Sequence, residues 1–121
     1  MNGNPNAATA ASSAAPSGVP VRLKGYLGMR LDAMIEHHVT AQDADYLTAP
    51  FIDKTERDGH WQAEFWGKWM HSAIPFLAYS GNAKLKASIE RGIDRILASQ
   101  EASGYIGNYP DGLRLGEGWD V

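Results

Sequence analysis

Two clusters in this sequence carry residue types that could do chemistry. The first is His60-Trp61-Gln62-Ala63-Glu64, at the entrance of an apolar helical stretch. A tryptophan ring offers a flat stacking surface. His60, Glu64 and the intervening glutamine offer hydrogen-bond partners for hydroxyl groups, the equipment of a sugar-facing cluster. The plainer reading of the same residues is a helix N-terminus, with Glu64 well placed against the positive end of the helix dipole. Residue types alone favour that plainer reading. The second cluster is Gln100 to Tyr109, where a helical stretch ends and a glycine-bearing loop begins. Tyr105, Asn108 and Tyr109 combine flat apolar surface with polar tips, and loops held by a rigid helical scaffold are where sites form. The competing reading is a C-cap loop whose tyrosines pack over helix ends. Trp119 and Asp120 add an aromatic ring and a carboxylate near the end of the chain. A carboxylate pair is the minimum for ordinary glycoside hydrolysis. Glu64 could face Asp111, Glu117 or Asp120, but spacing fixes none of those distances.

Other conspicuous residues read as structure. Phe65, Trp66 and Trp69 lie on an apolar helical face and belong to a core. His38 lies on an apolar stripe and is expected as a satisfied core histidine; His37 and His71 fall on polar faces. The four histidines are too scattered for a metal-ligand motif. There is no cysteine, so a disulfide framework, a thiolate nucleophile and a cysteine-based zinc site are excluded within this chain. No catalytic residue and no metal ligand is assigned here.

The elements that must position these residues are helices. Apolar spacing predicts a first helix over Tyr26–Val39, with Leu27, Leu31, Met34, Ile35, His38 and Val39 on one stripe. Thr40 to Asp43 has the form of a capping box, which would start a short helix that Pro50 stops. A second long helix starts near Trp61 to Glu64 and ends at Gly81. Its apolar residues cover about half of its circumference, so it expects neighbours on two sides. Pro75 falls on its polar side. A third long helix is predicted over Ala83–Ala102, capped by Asn82, with Leu85, Ile89, Ile93, Ile96 and Leu97 as a narrower stripe. The short turn at Gly81 makes the last two an antiparallel αα-hairpin. No strand alternation of any length is present. The expected class is all-α.

The 121 residues allow one modest domain, and 44% apolar with 21% charged residues is a globular balance. A net charge of −3 announces no basic face, so nucleic acid is not an expected partner. No apolar run is long enough to span a membrane. Residues 1–20, rich in Asn, Ala, Ser and Pro, read as a disordered arm. They lack the basic start and Leu/Val-rich centre of a signal peptide. Between compartments, export is favoured over the cytoplasm. Trp119 and Val121 look like the start of a further apolar segment, so residues 21–121 are expected to be a domain truncated at its C-terminus.

Trp61-Gln-Ala-Glu-Phe-Trp-Gly-Lys-Trp69, then Ala73, Tyr79-Ser-Gly81, Leu85 and Ile89, then Gln100-x-x-x-Gly-Tyr-Ile-Gly107 form a recognisable series. From about Leu23 to Val121 the chain resembles the N-terminal catalytic region of the β-L-arabinofuranosidase-like proteins, glycoside hydrolase family 127 and its relatives. Ala63 stands where glycine is expected, which is harmless at a helix start. The resemblance implies an (α/α)6 barrel, present here only in its first helices, and hydrolysis of L-arabinofuranosides or related glycans. It implies a carbohydrate substrate. The candidate sugar contacts, His60, Trp61, Glu64, Tyr105, Asn108, Tyr109, Trp119 and Asp120, are read from their residue types and places in the chain. It also implies a zinc-bound cysteine nucleophile and a glutamate acid/base, both later in the chain than Val121. Two alternatives stand beside it. One is another α/α-barrel activity, an unsaturated glucuronyl hydrolase or a polysaccharide lyase. The other is a non-catalytic helical module that binds glycans or a partner protein.

Overall fold

The structure is a computed structural model that describes residues 21–54 and 62–114. The expectations for residues 1–20 and for the segment after Arg114 lie outside the described residues. Within them every regular element is helical, as the class required. In order they are α1 (Gly25–Met34), a π-helical turn (Ile35–Val39) that continues it, α2 (Ala44–Asp53), α3 (Gln62–Ser80), α4 (Ala83–Ala98) and a short 3-10 turn (Asp111–Leu113). None of these helices is long and apolar enough to cross a membrane.

The first helix departs from its expected stripe. Its inward residues are Gly28, Ile35 and Val39, with Leu31 half-buried, whereas Leu27, Met34 and His38 are exposed. His38 is therefore not a core histidine. The inward face is carried by a different set of positions, and burying an imidazole there would have cost hydration without a partner. The π turn is closed by the Thr40 amide donating to the Ile35 carbonyl at 2.9 Å. It leaves the Val39 carbonyl to accept from the Trp69 indole N–H at 2.9 Å. That buried bond pins the end of the first helix onto α3. The lead-in is pinned too. The Leu23 amide donates to the Tyr79 hydroxyl, and Arg22 lies 4.9 Å from the centre of the Tyr79 ring.

Two boundaries around α2 need correction. Its N-cap is Asp43, whose carboxylate accepts from the Asp45 and Tyr46 amides at 2.9 and 3.3 Å. Thr40 is buried and caps nothing. Pro50 does not stop the helix but lies inside it, and α2 runs on to Asp53. An interior proline costs about 3 kcal/mol or more. Burial of Phe51 offsets roughly 2 kcal/mol of that, and the cap formed by Lys54, described below, adds to it.

The hairpin forms as expected. Gly81, at φ +63°, donates its amide to the Leu77 carbonyl and closes α3. The Asn82 side chain accepts from the Leu85 amide at 3.0 Å and opens α4. Pro75 is exposed within α3. Helix α4 stops at Ala98 rather than Ala102, because the chain turns away at Ser99 to begin the loop below. Both α3 and α4 pack against α2. Their shared core is Val39, Leu47, Trp69, Ala73, Leu85 and Ile89, bordered by Trp66, Met70, Phe76 and Leu77.

Gly92 sits in the middle of α4, where glycine costs about 1 kcal/mol relative to alanine. Its place has a packing cause. The Trp66 indole lies where a Cβ at position 92 would stand. The contact joins the start of α3 to the second half of α4, as an antiparallel hairpin requires. Trp66 also leans on Trp69, with ring centres 5.2 Å apart at 43°.

Candidate functional site

The described candidate residues are Glu64, Tyr105, Asn108 and Tyr109; His60, Trp61, Trp119 and Asp120 lie outside the described residues. Glu64 stands exposed in the first turn of α3 and pairs with Lys68 one turn on, at 2.8 Å. An exposed i,i+4 pair of this kind contributes a few tenths of a kcal/mol to a helix.

The other three are gathered by the loop that follows α4. Gly104, at φ +90°, reverses the chain so that its amide donates to the Glu101 carbonyl and the Glu101 amide donates to the Tyr105 carbonyl. The Tyr105 ring folds back against Gly107, leaving no room for a Cβ there. Its hydroxyl accepts from the Tyr109 amide at 3.3 Å. Asn108 and Tyr109 are buried, Tyr109 to 3% exposure. Tyr109 is thus packed inward, while Tyr105 is half-buried with its ring centre 5.4 Å from the Lys54 ammonium.

Two cations organise the loop. Arg114 places its guanidinium 3.6 Å from the centre of the Tyr105 ring. It makes a two-pronged pair with Glu101 at 2.6 and 2.8 Å and donates to the Tyr109 carbonyl at 3.1 Å. Lys54 is the second. It ends α2 in the left-handed conformation, φ 44°. Its ammonium donates to the carbonyls of Phe51 at 3.1 Å, Ser99 at 3.2 Å and Gly107 at 3.4 Å, and lies 3.7 Å from the Glu101 carboxylate. One cation therefore serves the negative C-terminal ends of both α2 and α4. A parallel tie stands at the other end of α2, where Arg91 grips Asp45 with two bonds of 2.6 and 2.7 Å.

These pairs set the titration. The hydrogen bond from Arg114, opposed by desolvation and helped by the charges of Arg114 and Lys54, holds the Glu101 carboxyl below its ordinary value of 4.5. A depressed acid stabilises the fold fully above its ordinary value and loses that contribution as pH falls through the lowered one. The melting temperature is therefore expected to fall on acidification below about pH 4.5. Glu101→Gln should flatten part of that acid limb while leaving the neutral plateau lower. An unchanged acid limb in Glu101→Gln would remove this carboxylate from the account.

Chemically, the assembly is a set of spoken-for groups. The carboxylates near the loop, Glu101 and Asp111, both pair with Arg114. Among the described residues no group of three His, Asp or Glu side chains is placed to hold a metal ion. Lys54, Glu101 and Arg114, which build the site, were not singled out by sequence reading. The ties that join them across the loop span 13 to 53 positions, beyond the reach of any local pattern. No family model, no curated protein and no solved structure matches this chain.

Proposed function

We propose that this chain forms part of the helical wall of an α/α-barrel glycoside hydrolase acting on L-arabinofuranosides or related glycans. The observation that supports it is the outer face of the first helix. Leu23, Tyr26, Leu27, Met29 and Met34 are all exposed there, Tyr26 to 70%. Of these, Leu23, Leu27 and Met34 line a groove of about 600 Å³ together with Leu31, Arg30 and His38. A monomer rarely leaves so continuous an apolar face open. In a ring of helices each member is flanked on both sides, and an early member presents such a face to the next pair. Phe65 and Ile74 on α3 are open in the same way. In this reading the Ser99–Arg114 loop, tied down by Lys54 and Arg114, forms a rim, and Tyr105 offers its ring edge to a sugar at the barrel mouth.

In this reading the bond-breaking groups are supplied from outside residues 1–121. Zinc, which the family resemblance implies, finds no thiolate in this chain and no three-ligand group among the described residues. The burial of Asn108 and Tyr109 favours a second reading, a non-catalytic helical module.

The test is hydrolysis of aryl L-arabinofuranosides by the product of the whole reading frame. Release of the aryl alcohol by that product, and none by residues 1–121 alone, is expected. Cleavage of uronate-containing glycans by elimination instead would replace this reading with a lyase. Absence of any turnover would leave the helical module.

A further inference from the structure

A second concavity lies at the opposite end of α2 from the tyrosine loop. It occupies about 260 Å³ between the Thr40–Asp45 connection and the outward side of α4, where Lys84, Ser88 and Arg91 complete its wall. This is just under the size of a drug-binding cleft, about 300–1,000 Å³. It admits one small ring, not an extended chain.

The lining is polar and its charges balance. Asp43 and Asp45 set two carboxylates against the Lys84 ammonium and the Arg91 guanidinium. Two carboxylates disfavour a phosphate or sulfate, and two cations disfavour a metal ion. Donors and acceptors both remain open. Lys84 has no ion pair among the described residues. Gln42 uses its amide N–H on the His38 carbonyl, leaving its oxygen as an acceptor. Asp43 receives its two backbone N–H bonds on one oxygen, leaving the other. At the base lies Thr40, 3% exposed, whose hydroxyl has no hydrogen-bond partner among the described residues.

We propose that this concavity binds a neutral polyhydroxylated ring, a monosaccharide or cyclitol. Asp43 and Gln42 accept from its hydroxyls, while Lys84 and Ser88 donate to it. The inference stands on the lining alone and does not rest on the glycosidase reading. Its readout is binding by this chain, not turnover by a longer product, so either can fail without the other.

Amide chemical shifts of the chain titrated separately with L-arabinose, D-glucose and myo-inositol test it, with inorganic phosphate and magnesium as further arms. At least one neutral probe should shift the Thr40–Asp45 and Ser88 amides saturably. Lys84→Ala, at an exposed position, should weaken that binding about tenfold, the loss of one good polar contact. Ser88→Trp should fill the space and abolish it. Shifts with phosphate or magnesium only would overturn the proposal in favour of a charge site. No saturable shift with any probe would overturn it outright.

Discussion

Replacing Lys54 with methionine is expected to lower the melting temperature by roughly 10 °C, equivalent to about 2 kcal/mol in a domain of this size. The side chain keeps its length and apolar stem but loses the ammonium. The carbonyls of Phe51, Ser99 and Gly107 then lose their shared donor, and Glu101 loses one of its two cations. The backbone supplies an internal control. Lys54 is the one non-glycine residue with positive φ among the described residues, and the left-handed conformation costs an L-residue about 1–2 kcal/mol. Lys54→Gly should therefore be milder than Lys54→Ala by roughly 1 kcal/mol, although both delete the same cation. Thermal melts of the three variants separate the two effects. If Lys54→Met melts within about 2 °C of the parent, the convergence of helix ends on this ammonium has no energetic weight.

Gly92→Ala is expected to destabilise, against the rule for a helix interior. Alanine brings about 1 kcal/mol of helix propensity. Its methyl group would stand inside the Trp66 indole, and overpacking of this sort costs typically 1–3 kcal/mol. The net loss should be about 1 kcal/mol. The sign should reverse once the indole is gone. In a Trp66→Ala background, Gly92→Ala should stabilise by up to roughly 1 kcal/mol. Urea unfolding of the four members of this cycle reads the coupling directly. Gly92→Ala raising stability in the parent would mean that the ring moves aside freely.

The helical class, the αα-hairpin and its caps were legible because each rests on neighbours in sequence. Asn82 caps Leu85 three residues on, and Gly81 takes the conformation that favours glycine. The errors have the same origin. Thr40 and Asp43 both suit an N-cap, and only the burial of Thr40 against the π turn decides between them. Pro50 reads as a stop, yet Phe51 and Lys54 hold one more turn through contacts outside the helix. The stripe through His38 follows ideal periodicity, while the inward side of the helix is set by what α3 offers it. The tyrosine loop was found as a candidate because Gly104 and its tyrosines are adjacent. Its internal ties were invisible, since Lys54 and Arg114 reach it from the end of α2 and from the far end of the loop. Glu101, read only as part of a helix end, is the carboxylate that joins them.

The placement of Lys54 also imposes an order of events on the chain as it folds. Its partners at Ser99 and Gly107 lie 45 and 53 positions downstream. They come within reach only when α4 is seated against α2. Closing so long a segment carries an entropic penalty that the core contacts of Leu85 and Ile89 must already have offset. The stretch from Ser99 to Arg114 is therefore the last to lock and the first to open. Its opening exposes Asn108 and Tyr109 to water while the three-helix core stays shut.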